Sequence, residues 1–308
     1  MRALVAAPAR SERIEPRDVP DLEPATNEAL VDVRAFSLNR GECVALARAQ
    51  DGWRPGWDLS GIVARRAADG SGPAEDTRVV GWVNGGAWAE RAAVRTAHIA
   101  PLPDEVPFET AATLPVAGLT ALAAVELAGD VGSRRVAVTG ANGGVGRFAI
   151  QVAHAEGARV TAIVTAADRA EGLRELGTDE LEVGLQPAGE PFDVILESVG
   201  GPSLAAALAR VAAEGVVVTF GNSSGRPTEF DARSFYRRGA PSMRALFITF
   251  ELLNERVGSL QLAKLARLVR DGRLRVDIGL TADWTDAASA VSALLERRIM
   301  GKAVLTVG

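Results

Sequence analysis

Arg135 to Val164 constrains this chain more than any other stretch. It reads Arg-Val-Ala-Val-Thr-Gly-Ala-Asn-Gly-Gly-Val-Gly, then passes through a helical pattern to Arg-Val-Thr-Ala-Ile-Val. An apolar, β-branched run, Val136 to Thr139, meets a glycine turn at Gly140, and more glycines follow at Gly143, Gly144 and Gly146. Phe148, Ile150, Gln151, Val152 and Ala155 then recur with helical periodicity up to Gly157, a helix stop. Val160 to Val164 is a second apolar strand, so the stretch forms a βαβ unit. Glycines let a backbone approach a pyrophosphate closely, and a helix N-terminus offers unpaired N–H groups and partial positive charge. The spacing Gly140-x-x-Gly143-x-x-Gly146 is not the strict G-x-G-x-x-G, and a tight turn in an ordinary α/β protein would also carry it. The flanking strand and helix favour the dinucleotide reading.

Downstream the same alternation continues. Asp168 to Leu176 reads as helix, Phe192 to Leu196 as a buried strand, and Pro202 to Ala213 as a helix with proline at its start. Val216 to Phe220 and Arg244 to Thr249 read as strands. Strands alternating with helices predict a parallel sheet with right-handed crossovers, whose ligands sit outside the C-terminal strand ends. The residues at those ends are Gly140 to Gly146, Thr165, Ser198 to Gly200, Gly221 to Ser223 and Phe247 to Thr249.

Residues 1–110 read instead as short strands broken by turns, with no helix of clear length. Ala29 to Ala35, Leu59 to Ala64, Val79 to Val83 and Trp88 to Val94 are the strands, and Asn84-Gly85-Gly86 is a hairpin signal between the last two. Asn39 to Glu42 and Pro55 to Gly61 are polar, turn-rich spots, where Asp58 is expected to bond its own backbone. The tail predicts an amphipathic helix from Leu252 to Arg270, a strand, a helix from Asp286 to Arg298 capped by Thr285, and the run Gly301-Lys302-Ala303-Val304-Leu305. A domain boundary falls near residue 116.

Size and charge narrow the function. A chain of 308 residues holds two domains and a large core. A net charge of −5 argues against general nucleic-acid binding. No apolar window is long enough to span a membrane, and the start turns to Pro8, Arg10 and Glu12 too soon for a signal peptide. The single cysteine, Cys43, makes no internal disulfide or cysteine-rich zinc site, so a reducing cytoplasm is expected.

The second strand end informs on the cofactor. An NAD site places a carboxylate there for the ribose 2′-OH. Here the position is Thr165, with Arg169 just beyond, and a hydroxyl with an arginine suits a 2′-phosphate. Asp168 is acidic and close, and also fits a plain role at a helix N-terminus. NADPH is the expected cofactor.

Several blocks in order then resemble the medium-chain dehydrogenase/reductase superfamily, in its zinc-free branch of zeta-crystallin-like quinone oxidoreductases. They are Ser37-Leu38-Asn39-Arg40, Pro55 to Gly61, Gly86-Ala87-Trp88-Ala89-Glu90, Ala112 to Ala121, Gly140 to Gly146 and Gly301 to Leu305. The resemblance implies an α/β fold: a GroES-like β-rich catalytic domain from residues 1–116 and 252–308 around a Rossmann domain of doubly wound parallel sheet, residues 117–251. It implies NADPH in the cleft between them and a homodimer. Asn39 and Thr120 would face the nicotinamide, and Asn142, Gly143, Gly144 and Val145 would hold the pyrophosphate. Thr165 and Arg169 would hold the adenosine phosphate. Gly221, Asn222, Phe247 and Ile248 would line the ribose and carboxamide, and Lys302 would sit near the cleft.

The departures are informative. The zinc-dependent relatives carry a Gly-His-Glu block, which here reads Gly56-Trp57-Asp58, and neither His98 nor His154 is placed to replace its histidine. No catalytic metal is expected. The tyrosine that many relatives carry before the Pro-Gly block is Trp53 here. The expected activity is NADPH-dependent reduction of a quinone or an α,β-unsaturated carbonyl. Asn39 or a backbone N–H would stabilise the carbonyl oxygen, water would return the proton, and Trp53 and Trp57 would wall a flat small-molecule substrate. The alternatives are an enoyl reductase of a polyketide-type pathway and a cofactor-binding protein with little catalysis.

Overall fold

Val136, Ala137 and Val138 are all fully buried, as befits a strand covered on both faces of a parallel sheet. In the computed structural model it lies inside a six-stranded sheet. The sheet's order is Glu180–Val183, Arg159–Val164, Arg135–Thr139, Phe192–Glu197, Val211–Thr219, Ser242–Ala245, with every neighbouring pair parallel. In chain order this is 3-2-1-4-5-6, the doubly wound arrangement. The order reverses between Arg135–Thr139 and Phe192–Glu197, where Val138 pairs with Leu196. The structure describes residues 1–308 except the side chains of Phe250 and Leu253. It divides into unit 1, Met1–Leu119 with Thr249–Gly308, and unit 2, Thr120–Ile248.

Unit 2 departs from the sequence pattern where glycines and β-branched residues intervene. Asp168 to Leu176 is not one helix but two short 3-10 turns, Ala167–Ala170 and Arg174–Leu176. Gly172 and Gly177, at φ of +72° and +99°, punctuate them. The helix at Pro202 ends at Arg210, and Val211, only 1% exposed, already belongs to the next strand. Strand Ser242–Ala245 stops before Phe247, and Ile248–Leu253 is helical. Glu180–Val183 escaped notice because only its Leu181 and Val183 are apolar, on a sheet edge.

Unit 1 is built on a seven-stranded sheet whose main order is Ile278–Asp283, Lys302–Thr306, Glu28–Leu38, Asp58–Arg65, Arg78–Trp82, Ile99–Pro101, with Arg91–Arg95 also paired to Glu28–Leu38. Strand Lys302–Thr306 runs antiparallel to the long strand, with Ala303 opposite Leu38, so the tail completes a sheet begun by the first residues. Phe36 and Trp88 stack with centroids 5.7 Å apart in its core. The His98 ring nitrogen lies 2.8 Å from the Leu252 carbonyl, a second tie between the two chain segments of the unit.

Several expectations for this half are corrected. Two helices, Arg40–Leu46 and Phe108–Ala111, interrupt the β-rich segment. Asn84-Gly85-Gly86 closes no hairpin: Arg78–Trp82 pairs with Asp58–Arg65 and Ile99–Pro101, while Arg91–Arg95 pairs with Glu28–Asp32. The glycines turn instead onto the Pro55 loop, where the Gly86 N–H reaches the carbonyls of Arg54 and Pro55 at 3.1 and 3.0 Å. The Leu252 to Arg270 helix is broken, and its second part is Ser259–Arg270. At the break a Cβ on Gly258 would lie 2.4 Å from the Ala97 carbonyl oxygen. Thr285 sits in a 3-10 turn, with Asp283 accepting its N–H at 2.9 Å. No helix among the described residues is long and apolar enough to cross a membrane.

Ile195 is wholly buried in the central strand Phe192–Glu197. Truncating Ile195→Ala is expected to cost about 2–5 kcal/mol, read as a lower urea midpoint with an unchanged slope.

Candidate functional site

Unit 2 carries a glycine turn at the point where its strand order reverses. Strand Arg135–Thr139 ends at Gly140, whose φ is +59°. A Cβ there would meet the Ser198 Oγ at 2.6 Å, so the loops after the first and fourth strands are in contact. The Gly143 N–H bonds the Gly140 carbonyl at 2.9 Å, and helix Gly144–Ala155 starts directly after. A Cβ on Gly146 would lie 2.4 Å from the Gly140 carbonyl oxygen and 2.7 Å from that of Ala141. Real Cβ atoms do not approach a carbonyl so closely, and only glycine lets the first helical turn press against the strand end. Asn142 to Val145 are left partly exposed, beside the first amides of a helix, which have no acceptor within it. This is the geometry of an anion site.

Thr165 follows strand Arg159–Val164 and is exposed, with Arg169 half-buried in the next turn and Asp168 exposed. Gly221 packs against Ser198, where an added Cβ would lie 2.8 Å from its carbonyl oxygen. Asn222 accepts from Ser224 Oγ at 2.9 Å and donates to the Arg226 carbonyl at 3.3 Å. Phe247 is 68% exposed, whereas Ile248 and Thr120 are buried. Glu197, fully buried at the end of the fourth strand, accepts the amides of Val199 and Gly200 at 3.0 Å and so fixes the Ser198 turn.

Unit 1 holds a second constellation, buried and polar. The antiparallel register places Lys302 beside Asn39, 263 residues away, and its Nζ donates to Asn39 Oδ1 at 2.7 Å and to the Leu38 carbonyl at 3.1 Å. Asn39 is the N-cap of helix Arg40–Leu46 and forms a capping box with Glu42. Its Nδ2 donates to Asp58 Oδ2 at 2.8 Å and to Glu42 Oε1 at 3.2 Å. Glu42 also accepts the Asn39 backbone N–H at 2.7 Å. Asp58 Oδ2 further accepts Ser37 Oγ at 2.7 Å and lies 3.5 Å from Lys302 Nζ, while Oδ1 accepts the Val116 N–H at 2.9 Å. That amide follows Pro115, in a wide π-turn, Leu114–Gly118. Ser37, Glu42 and Asp58 are fully buried. Asp58 therefore does not bond its own backbone as a loop residue; it is the hub of the cluster, and it is stable there because each oxygen has donors.

Burial first, then the Asp58 carboxylate, push the Glu42 carboxyl up to about 8, against the opposing effect of the Asn39 N–H and Lys302. Its Oε2 has no hydrogen-bond partner among the described residues. Burial likewise raises the Cys43 thiol well above its ordinary range. Trp57 lies over the first turn of helix Arg40–Leu46, where a Cβ on Gly41 would come 2.8 Å from the ring. Trp53 is partly buried against the core of unit 1. Among the described residues no group of three or more His, Cys, Asp and Glu side chains is placed to hold a metal ion.

The structure thus brings Asn39 and Lys302 together in one unit and gathers Gly143, Gly144, Gly221 and Asn222 at the strand ends of the other. Sequence reasoning missed Glu42, Ser37 and Asp58 as a linked set. The signal lay in two polar, turn-rich blocks, Ser37 to Glu42 and Pro55 to Gly61, each carrying one carboxylate.

A family model described as zinc-binding dehydrogenase matches residues 144–305, more than half of the chain. A quinone oxidoreductase of Pseudomonas aeruginosa is 27% identical over 333 residues, covering 99% of this chain and 98% of its own. The spectinabilin polyketide synthase system protein NorB of Streptomyces orinoci is 32% identical over 295 residues, 92% of this chain, which spans only 13% of that protein. Among solved structures, a mycobacterial protein complexed with NADPH superposes with a TM-score of 0.90 at 23% identity, each chain covered in full.

The Glu42 carboxyl gives a test by titration. Between about 4.5 and 8 the folded chain holds a proton there that the unfolded chain has lost. Stability is therefore expected to fall as pH rises through that window, by at most about 1.4 kcal/mol per pH unit. Glu42→Gln stays uncharged and should remove that part of the slope, measured by urea unfolding at a series of pH values.

Proposed function

Because the chain belongs to the medium-chain dehydrogenase/reductase family, in its quinone oxidoreductase type, we propose that it is an NADPH-dependent reductase of quinones or α,β-unsaturated carbonyls. The observation that carries this reading is the Gly140–Gly146 turn at the reversal point of a doubly wound sheet. The residues fit a dinucleotide: glycine leaves no Cβ to block a diphosphate, and the helix N-terminus offers its amides. Asn142 to Val145 hold the pyrophosphate in this reading, and Thr165 and Arg169 hold the 2′-phosphate. Gly221, Asn222, Phe247, Ile248, Thr120 and Lys302 serve the nicotinamide half. The reduced nicotinamide supplies the hydride when bound.

The chain's own residues orient the substrate and handle charge. Negative charge develops on the substrate's carbonyl oxygen, and a donor held in place lowers the barrier. Asn39 is the proposed donor. Its amide is locked in orientation, since Oδ1 accepts from Lys302 and Nδ2 donates to Asp58 and Glu42. The 3.2 Å bond to Glu42 is the longer of the two from Nδ2, so that hydrogen is the one to offer. Trp53 and Trp57 offer flat apolar faces to a conjugated substrate. Water returns the proton. The single thiol suits a reducing cytoplasm. The edge strand Ser242–Ala245, in which Met243 is 48% exposed, is the proposed seam of a homodimer.

A second reading, an enoyl reductase acting on thioesters, is favoured by the likeness to a polyketide synthase protein. A panel of quinones, enones and enoyl thioesters, followed by loss of NADPH absorbance, separates the two. Turnover of quinones or enones supports the first reading, and turnover of thioesters alone supports the second. Absence of turnover with every acceptor, despite tight NADPH binding, would leave a cofactor-binding protein with little catalysis.

Arg169→Ala tests the cofactor. Its affinity for NADPH is expected to fall by about 1–3 kcal/mol, with NADH affinity unchanged, in fluorescence titrations of the two.

A further inference from the structure

Arg147 is an arginine where the chain has reason not to place one. It stands in the first turn of helix Gly144–Ala155, whose N-terminus already carries partial positive charge. It is only 7% exposed, although arginine is almost never fully buried. Its backbone N–H closes the glycine turn on the Gly143 carbonyl at 3.1 Å. Its side chain crosses to the segment after the second strand, where Nη1 donates to the Glu171 carbonyl at 3.3 Å. Gly172, at φ +72°, accommodates it from the other side, since a Cβ there would come 2.8 Å from Nη2. One residue therefore joins the turn proposed to grip the pyrophosphate to the segment proposed to read the ribose.

That segment has few local supports. Thr165 to Asp168 are exposed, and Ala167–Ala170 is a 3-10 turn of four residues. Its ends are tied by Arg169 N to the Ala166 carbonyl at 3.0 Å and Leu173 N to the Ala170 carbonyl at 3.2 Å. Such a short turn frays easily, and the placement of Arg169 then depends on what holds residues 171 and 172.

We propose that Arg147 is a positioning residue for cofactor choice: by bracing residues 171–172 it fixes Thr165 and Arg169 where a 2′-phosphate binds, and its charge adds to the attraction for that phosphate. This rests on the reading of unit 2 as an NADPH-binding domain.

The test is calorimetric titration with the oxidised nucleotides NADP+ and NAD+, without turnover. The proteins are the natural sequence, Arg147→Met, Arg147→Lys and Gly172→Ala, each checked for fold by far-ultraviolet circular dichroism. Arg147→Met removes charge and fork at similar length, and Gly172→Ala both crowds Nη2 and strains the backbone at φ +72°, loosening the brace at residues 171–172 while leaving Arg147 in place. The expected result is that the Kd for NADP+ rises at least tenfold in both, and that for NAD+ stays within twofold. Arg147→Lys, which keeps the charge but not the fork, should fall between. If one variant does not fold, the others carry the comparison. Equal weakening of both nucleotides, or no change in either, would overturn the proposal while leaving the cofactor reading intact. A natural-sequence protein that prefers NAD+, or binds neither nucleotide, would overturn that reading first.

Discussion

The contact on which the unit 2 site depends is one of backbone against backbone. The first turn of helix Gly144–Ala155 presses on the end of strand Arg135–Thr139 so closely that a Cβ on Gly146 would lie 2.4 Å from the Gly140 oxygen. That approach fixes the helix axis relative to the sheet and directs its leading amides toward the strand ends. Gly140 in turn abuts Ser198, which Glu197 holds in place by accepting the Val199 and Gly200 amides. The rim where a dinucleotide would lie is thus built mainly from backbone and small side chains. Arg147 extends the same helical turn to the segment that carries Arg169.

Unit 1 solves a different problem, holding charge out of water. Two carboxylates, Glu42 and Asp58, and one ammonium, Lys302, are buried around the Asn39 amide. With Glu42 protonated the set carries one negative and one positive charge, which is the state burial favours. The consequence is an amide with little freedom: each end of Asn39 is fixed by a charged or acidic group. An amide already locked in orientation loses little entropy when it meets a substrate.

Much of unit 2 was legible because its signals are local. A β-branched run, a glycine turn and a helical period lie within Arg135 to Val164, and the strand ends at Gly140, Thr165 and Ser198 follow by counting, whereas the last strand stops at Ala245, short of Phe247. The failures are equally local in cause. Asp168 to Leu176 has helical spacing, yet Gly172 and Gly177 at positive φ break it into short turns. Unit 1 was harder because its pairings are remote in sequence. Nothing near Lys302 announces Asn39; only the antiparallel register of Ala303 with Leu38 makes them neighbours. Asp58 looked like a turn residue beside Pro55 and Gly56, and only the sheet shows that it starts a strand and faces three side chains. Local patterns placed a boundary near residue 116, and the family resemblance added that the tail joins the N-terminal segment in one unit.

The central claim is that a side-chain-free helix start in unit 2 holds a dinucleotide diphosphate. Isothermal titration of the purified protein with NADPH, beside Gly146→Val of intact far-ultraviolet circular dichroism, tests it most directly. The account predicts saturable binding at one site per chain for the natural sequence and its loss in the variant. No binding by the natural sequence, or undiminished binding by a folded Gly146→Val, would contradict it.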